Sequence, residues 1–96
     1  MSISEIAINV FVTMIFGWGI MWTLLAWGFG ITNFKATYGG LPAMIGSFLW
    51  YVLIVCHVIA MYLLWTTSIP ALQLIGSLIA FHILFGAIFG QNVSTR

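Results

Sequence analysis

Residues 41–65, LPAMIGSFLWYVLIVCHVIAMYLLW, hold no charged side chain, and after Thr66-Thr67-Ser68 a second uncharged run starts at 69 and reaches Gly90. Each run is long enough to cross a hydrocarbon core of about 30 Å, which takes roughly 20 apolar residues at about 1.5 Å per residue. So short a linker allows only an immediate reversal, so the two runs are expected to form a tight antiparallel hairpin. In this reading Ser68 caps the third helix and Pro70 suits its first turn.

Towards the N-terminus the next break is Thr32-Asn33-Phe34-Lys35-Ala36-Thr37-Tyr38-Gly39-Gly40. Its glycine pair permits positive φ, and Pro42 fits the start of the helix that follows. Before it lies a third apolar run, 6–31, long enough to need tilt or a kink. Ser2 and Glu5 have capping-box spacing. The leading residues carry no basic side chain and the run is too long for a secretory signal, so it reads as a retained membrane helix. The expected fold is therefore an all-α integral membrane protein: one domain over 1–96 with three transmembrane helices at about 6–31, 41–65 and 69–90.

Composition agrees with this architecture. The 96 residues are 64% hydrophobic and 3% charged, and the only charged side chains are Glu5, Lys35 and Arg96. Soluble domains carry about a quarter charged residues. Nucleic-acid binding and a polybasic lipid-binding patch are excluded by the same count. The single cysteine, Cys56, cannot form an internal disulfide. With three crossings, Lys35 and Arg96 fall on one side, which the positive-inside rule makes cytoplasmic, giving an outside N-terminus and a cytoplasmic C-terminus. The Asn92-Val93-Ser94 sequon then sits on the wrong side for glycosylation.

Helices in lipid associate through small residues and polar groups. In the first span Gly19, Thr23, Ala26 and Gly30 recur at i, i+4, i+7, i+11 and share one face. In the third, Gly86 and Gly90 form a small-xxx-small pair. These six are the expected helix-packing residues. Trp27 and Trp65 fit an interfacial aromatic belt, whereas Trp18, Trp22, Trp50 and Tyr51 fall near mid-span, where an N–H or O–H needs a partner.

His57 and His82 are the intramembrane titratable rings and hence the candidate cofactor-binding residues. Counted from the hairpin, they lie within about 6 Å of each other in depth. One reading has them hydrogen-bonded inside the bundle. A sharper one has either imidazole as axial ligand to a b-type haem or a chlorin pigment, with Gly86 leaving a slot beside His82. Two helices packed about 8–10 Å apart leave no room for a macrocycle between both rings. A soft-metal reading groups His57, Met61 and Cys56 around copper, although Cys56 points about 100° away from His57.

No carboxylate is placed to orient a histidine, so nucleophilic catalysis is not expected from this chain. The first span lacks the Pro-Gln pair of half-size sugar transporters, the membrane glutamates of small multidrug exporters are missing, and no aspartate-tyrosine pair follows either histidine as it does in succinate dehydrogenase anchors. No family resemblance is drawn. The expected role is a small, non-catalytic accessory subunit of a larger membrane complex, of redox or light-driven type, contacting larger integral-membrane subunits and lipids. The alternatives are a haem-binding electron-transfer subunit and a homo-oligomeric channel or transporter.

Overall fold

The computed structural model describes residues 2–89 and is a bundle of three helices long and apolar enough to cross a membrane. The chain is a multi-pass integral membrane protein. Helix α1 (Ile3–Trp22) runs through a π-wound turn (Thr23–Trp27) into α2 (Gly28–Tyr38), so that Ile3–Tyr38 forms one continuous first span. The second span is α3 (Gly40–Thr66) and the third is α4 (Ala71–Phe89). Gly90, named above as a packing residue, lies outside the described residues.

Helix α1 starts at Ile3, ahead of the expected residue 6, directly after the cap that the Ser2–Glu5 spacing marks. The Ser2 hydroxyl accepts the Glu5 N–H at 3.1 Å, and the Glu5 carboxylate accepts the Ser2 N–H at 3.0 Å. The end of the first span differs from the expectation: the helix passes Ile31 and continues to Tyr38. Its polar side chains sustain it by bonding back one turn. Thr32 Oγ1 donates to the Gly28 carbonyl, Asn33 Nδ2 to that of Phe29, and Thr37 Oγ1 to that of Asn33, each at 2.9 Å. A segment rich in loop-forming residues thus supplies its own helical hydrogen bonds.

The reversal between spans one and two is correspondingly abrupt. Gly39 has φ 60° and ψ −170°, and Gly40 has φ 57°. The first of these conformations is essentially reserved for glycine. Pro42 sits in the first turn of α3, as expected.

The hairpin between α3 and α4 is present, but Ser68 does not cap it. Thr67 engages the linker instead: its hydroxyl accepts the Ile69 N–H at 3.3 Å and donates to the Leu63 carbonyl at 2.6 Å. The first turn of α4 is closed instead by the Pro70 carbonyl, which accepts from the N–H groups of Gln73 and Leu74.

Two apolar clusters hold the three spans together. Near the hairpin, Val12 and Phe16 of α1 meet Ala60 and Leu64 of α3 and Leu74 and Leu78 of α4. Towards the Gly39 reversal, Ile31 and Phe34 of α2 meet Leu53 of α3 and Phe85 and Phe89 of α4. Gly46 permits the second contact, because a Cβ there would lie 3.0 Å from the Phe89 ring and 3.1 Å from Ile31 Cδ1. Between the clusters lies a polar layer containing the two fully buried polar side chains among the described residues, Thr23 and His57.

Replacement of Gly39 by Ala is expected to destabilise the bundle by about 1–3 kcal/mol through backbone strain alone. Gly17, helical and with open space around its would-be Cβ, is the control. Thermal unfolding in detergent micelles should show a lowered midpoint for Gly39→Ala and none of that loss for Gly17→Ala.

Candidate functional site

The polar layer is built from one residue stripe on each span. Helix α1 contributes Gly19, the π turn contributes Thr23 and Trp27, α3 contributes His57 and α4 contributes His82. Gly19 is where the first span approaches the second: a Cβ there would fall 2.5 Å from His57 Nε2 and 2.8 Å from its Cδ2. Gly86 does the same for the third span, since its Cβ would meet the Trp27 ring at 2.7 Å. The notch beside His82 therefore holds the indole of Trp27. Thr23 and Gly30 are buried and Ala26 is half-buried on the same span.

The two imidazoles touch. His82 Nε2 lies 3.0 Å from His57 Nε2, with the rings at 77° and their centroids 5.0 Å apart. Trp27 Nε1 donates to His82 Nδ1 at 2.8 Å, and His57 Nδ1 lies 2.8 Å from the Leu53 carbonyl oxygen. The proton positions follow by elimination. An indole N–H can only donate, so His82 Nδ1 is an acceptor and the proton of the neutral ring is on Nε2. That Nε2–H donates to His57 Nε2, which places the proton of His57 on Nδ1, and a carbonyl oxygen can only accept it. The chain of donation runs Trp27 to His82 to His57 to Leu53, joining all three spans with both imidazoles neutral.

Among the described residues no buried side-chain nitrogen or oxygen is left without a hydrogen-bond partner. The π turn serves the same end, because the Thr23 carbonyl accepts the Trp50 Nε1–H at 2.8 Å while its hydroxyl donates to the Gly19 carbonyl at 2.7 Å. π turns recur at functional sites and shift the faces of the helix beyond them. Nearer the hairpin, Trp65 Nε1 donates to Thr13 Oγ1 at 2.9 Å, and Thr13 Oγ1 donates to the Asn9 carbonyl at 2.7 Å.

Trp27 was expected at an interface and instead lies in the interior. The extension of the first span to Tyr38 moves it inward, and its position one turn beyond Thr23 was the available signal. The remaining aromatics divide. Trp50 is half-buried and paired, whereas Trp18 and Trp22 are 67% and 48% exposed and no described residue accepts their N–H groups. They wall an outward apolar groove of about 290 Å³ between α1 and α4 that reaches in to His57 and His82.

The structure brings His57 and His82 together. Cys56 and Met61 pack against the apolar cluster near the hairpin. No group of three or more His, Cys, Asp or Glu side chains able to hold a metal occurs among the described residues. Axial ligation by either histidine would take a ring nitrogen already used: Nε2 of His57 accepts, Nε2 of His82 donates, and the two Nδ1 atoms are bound to Leu53 and Trp27. Compared with known proteins, the chain matches no family model, no curated protein and no solved structure.

The Trp27→Phe variant keeps an aromatic ring in the Gly86 notch and removes one donor, leaving His82 Nδ1 unpaired. Such a loss is worth about 1–3 kcal/mol in an apolar interior. Thermal unfolding should show that decrease in Trp27→Phe. In the double-mutant cycle with His82→Leu the two effects should be clearly non-additive, and additive effects would show that the pair does not interact.

Proposed function

We propose that this chain is a non-catalytic accessory subunit of a larger membrane complex, one that presents a fixed helical surface to a bigger integral-membrane protein. The observation that supports the reading is the contrast between inside and outside. In the interior, the ionisable and amide-like groups are closed on one another. On the outside, Trp18 and Trp22 present uncommitted N–H donors in the first span. Acyl chains offer no acceptor, so a second protein, or a cofactor it carries, is what satisfies such groups.

The third span adds a second exposed face. Gly76, Ser77 and Ala80 are exposed, and a Cβ on Gly76 would meet nothing within 4 Å, so another backbone can approach there. In this reading the end bearing Lys35 faces the cytoplasm. Mid-span indoles and imidazoles make redox and light-driven assemblies the first class of complex in which to look for the partner.

A photo-crosslinking residue placed at Trp18 tests the proposal in the native membrane. The expected product is an adduct with an unlike, larger membrane polypeptide. An adduct of twice the chain's own mass would instead support the homo-oligomeric alternative and reject this one, as would full activity reconstituted from the isolated chain.

A further inference from the structure

The positively charged side chain in the described residues, Lys35, stands at the mouth of a second cavity that the paired-histidine layer does not use. This cavity, about 220 Å³, lies between α2 and α3 and is lined by Thr32 and Lys35 from one helix and Ser47, Trp50 and Tyr51 from the other. Its uncommitted hydrogen-bonding groups can all donate, and the lysine can do nothing else. The Lys35 ammonium carries three N–H bonds, and the Ser47 and Tyr51 hydroxyls make no hydrogen bond to any described residue. Glu5, the only acidic side chain, lies about 45 Å away along the same continuous helix and is held by Ser2. Nothing in the described chain neutralises the lysine.

The cavity's neighbour gives the ligand a second, apolar part. An adjoining groove of about 300 Å³ shares Gly28, Thr32 and Trp50 with it and continues along Leu24, Leu25 and Phe29. Going from Lys35 to Leu24 along the first span leads from the Gly39 reversal towards the bundle's middle, over about 16 Å. Depth agrees with that polarity. The nineteen residues of α4 cover about 28 Å, close to a hydrocarbon thickness, and Phe89 at its end is level with Gly46 and Ile31. Ser47 and Thr32 thus lie at the edge of the hydrocarbon layer, with Lys35 one turn outside it and Tyr51 one turn inside.

We infer that this composite groove binds one glycerophospholipid, its phosphate held by Lys35, Ser47 and Tyr51 and an acyl chain lying along Leu24, Leu25 and Phe29. A headgroup of net negative charge is preferred, because a zwitterionic one brings its own cation to the same place. A free phosphate ion shares the headgroup chemistry but has no use for the apolar half.

The full chain, reconstituted in nanodiscs of equimolar phosphatidylglycerol and phosphatidylcholine and then released for native mass spectrometry, reports the lipid it retains. An enrichment of phosphatidylglycerol of about five-fold is expected, the value of one lysine near an anionic surface. Lys35→Gln should abolish the enrichment, Lys35→Arg should keep it, and Ser47→Ala with Tyr51→Phe should reduce retention of both lipids. These side chains are outside the two apolar clusters, so unfolding curves of the variants should coincide with the parent's. Equal retention of both lipids by the parent, or undiminished enrichment in Lys35→Gln, would overturn the proposal. Displacement of the lipid by millimolar inorganic phosphate would assign the site to the free ion and overturn the lipid assignment.

Discussion

An imidazole inside a bilayer has no water to complete its hydrogen bonds, and the polar layer of this bundle is arranged around that constraint. Two histidines on adjacent spans would each leave an unpaired acceptor in hydrocarbon, at a cost of several kcal/mol for the pair. Set against each other they cancel only half of the problem, since one Nδ1 must still receive a proton and the other must still give one. Trp27 and the Leu53 carbonyl complete the series. The arrangement has one direction, because its first member can only donate and its last can only accept.

This polar series dictates backbone geometry. Gly19 is glycine because His57 occupies the place of its side chain, and Gly86 because Trp27 does. The π turn at Thr23–Trp27 presents a carbonyl to Trp50 and turns Trp27 inward. The apolar clusters lie on either side of the layer, and His57 within it is only 1% exposed. Polar pairing sets the register of the three spans, and hydrophobic contact fills the space around it. In lipid this division of labour is expected, since apolar burial by itself does not drive helices together.

The architecture was legible from hydropathy and turn chemistry: three runs, a glycine-pair reversal and a short hairpin linker are all sequence-local features. The boundary at Ile31 was misread because Thr32, Asn33 and Thr37 look like a loop by type, while their back-bonding to carbonyls one turn earlier is invisible in composition. On the small-residue stripe Gly19-Thr23-Ala26-Gly30, Gly19 meets His57, and Thr23 and Gly30 are buried. The identity of what enters there did not follow, since it depends on where His57 lies in depth on a different helix. The two histidines were placed at similar depth by counting from the hairpin. The position of Trp27 one turn beyond Thr23 hinted at its inward face, but its role also depends on the true end of the first span and on the π turn, which have no local signature.

The central claim is the direction of donation through the two histidines, and nitrogen-15 NMR of the histidine-labelled chain in lipid bilayers at neutral pH measures it directly. The account predicts opposite tautomers in one molecule: His82 protonated at Nε2, His57 protonated at Nδ1, with a through-bond coupling between the facing Nε2 atoms. Identical tautomers in both rings, or a positively charged imidazolium in either, would contradict it.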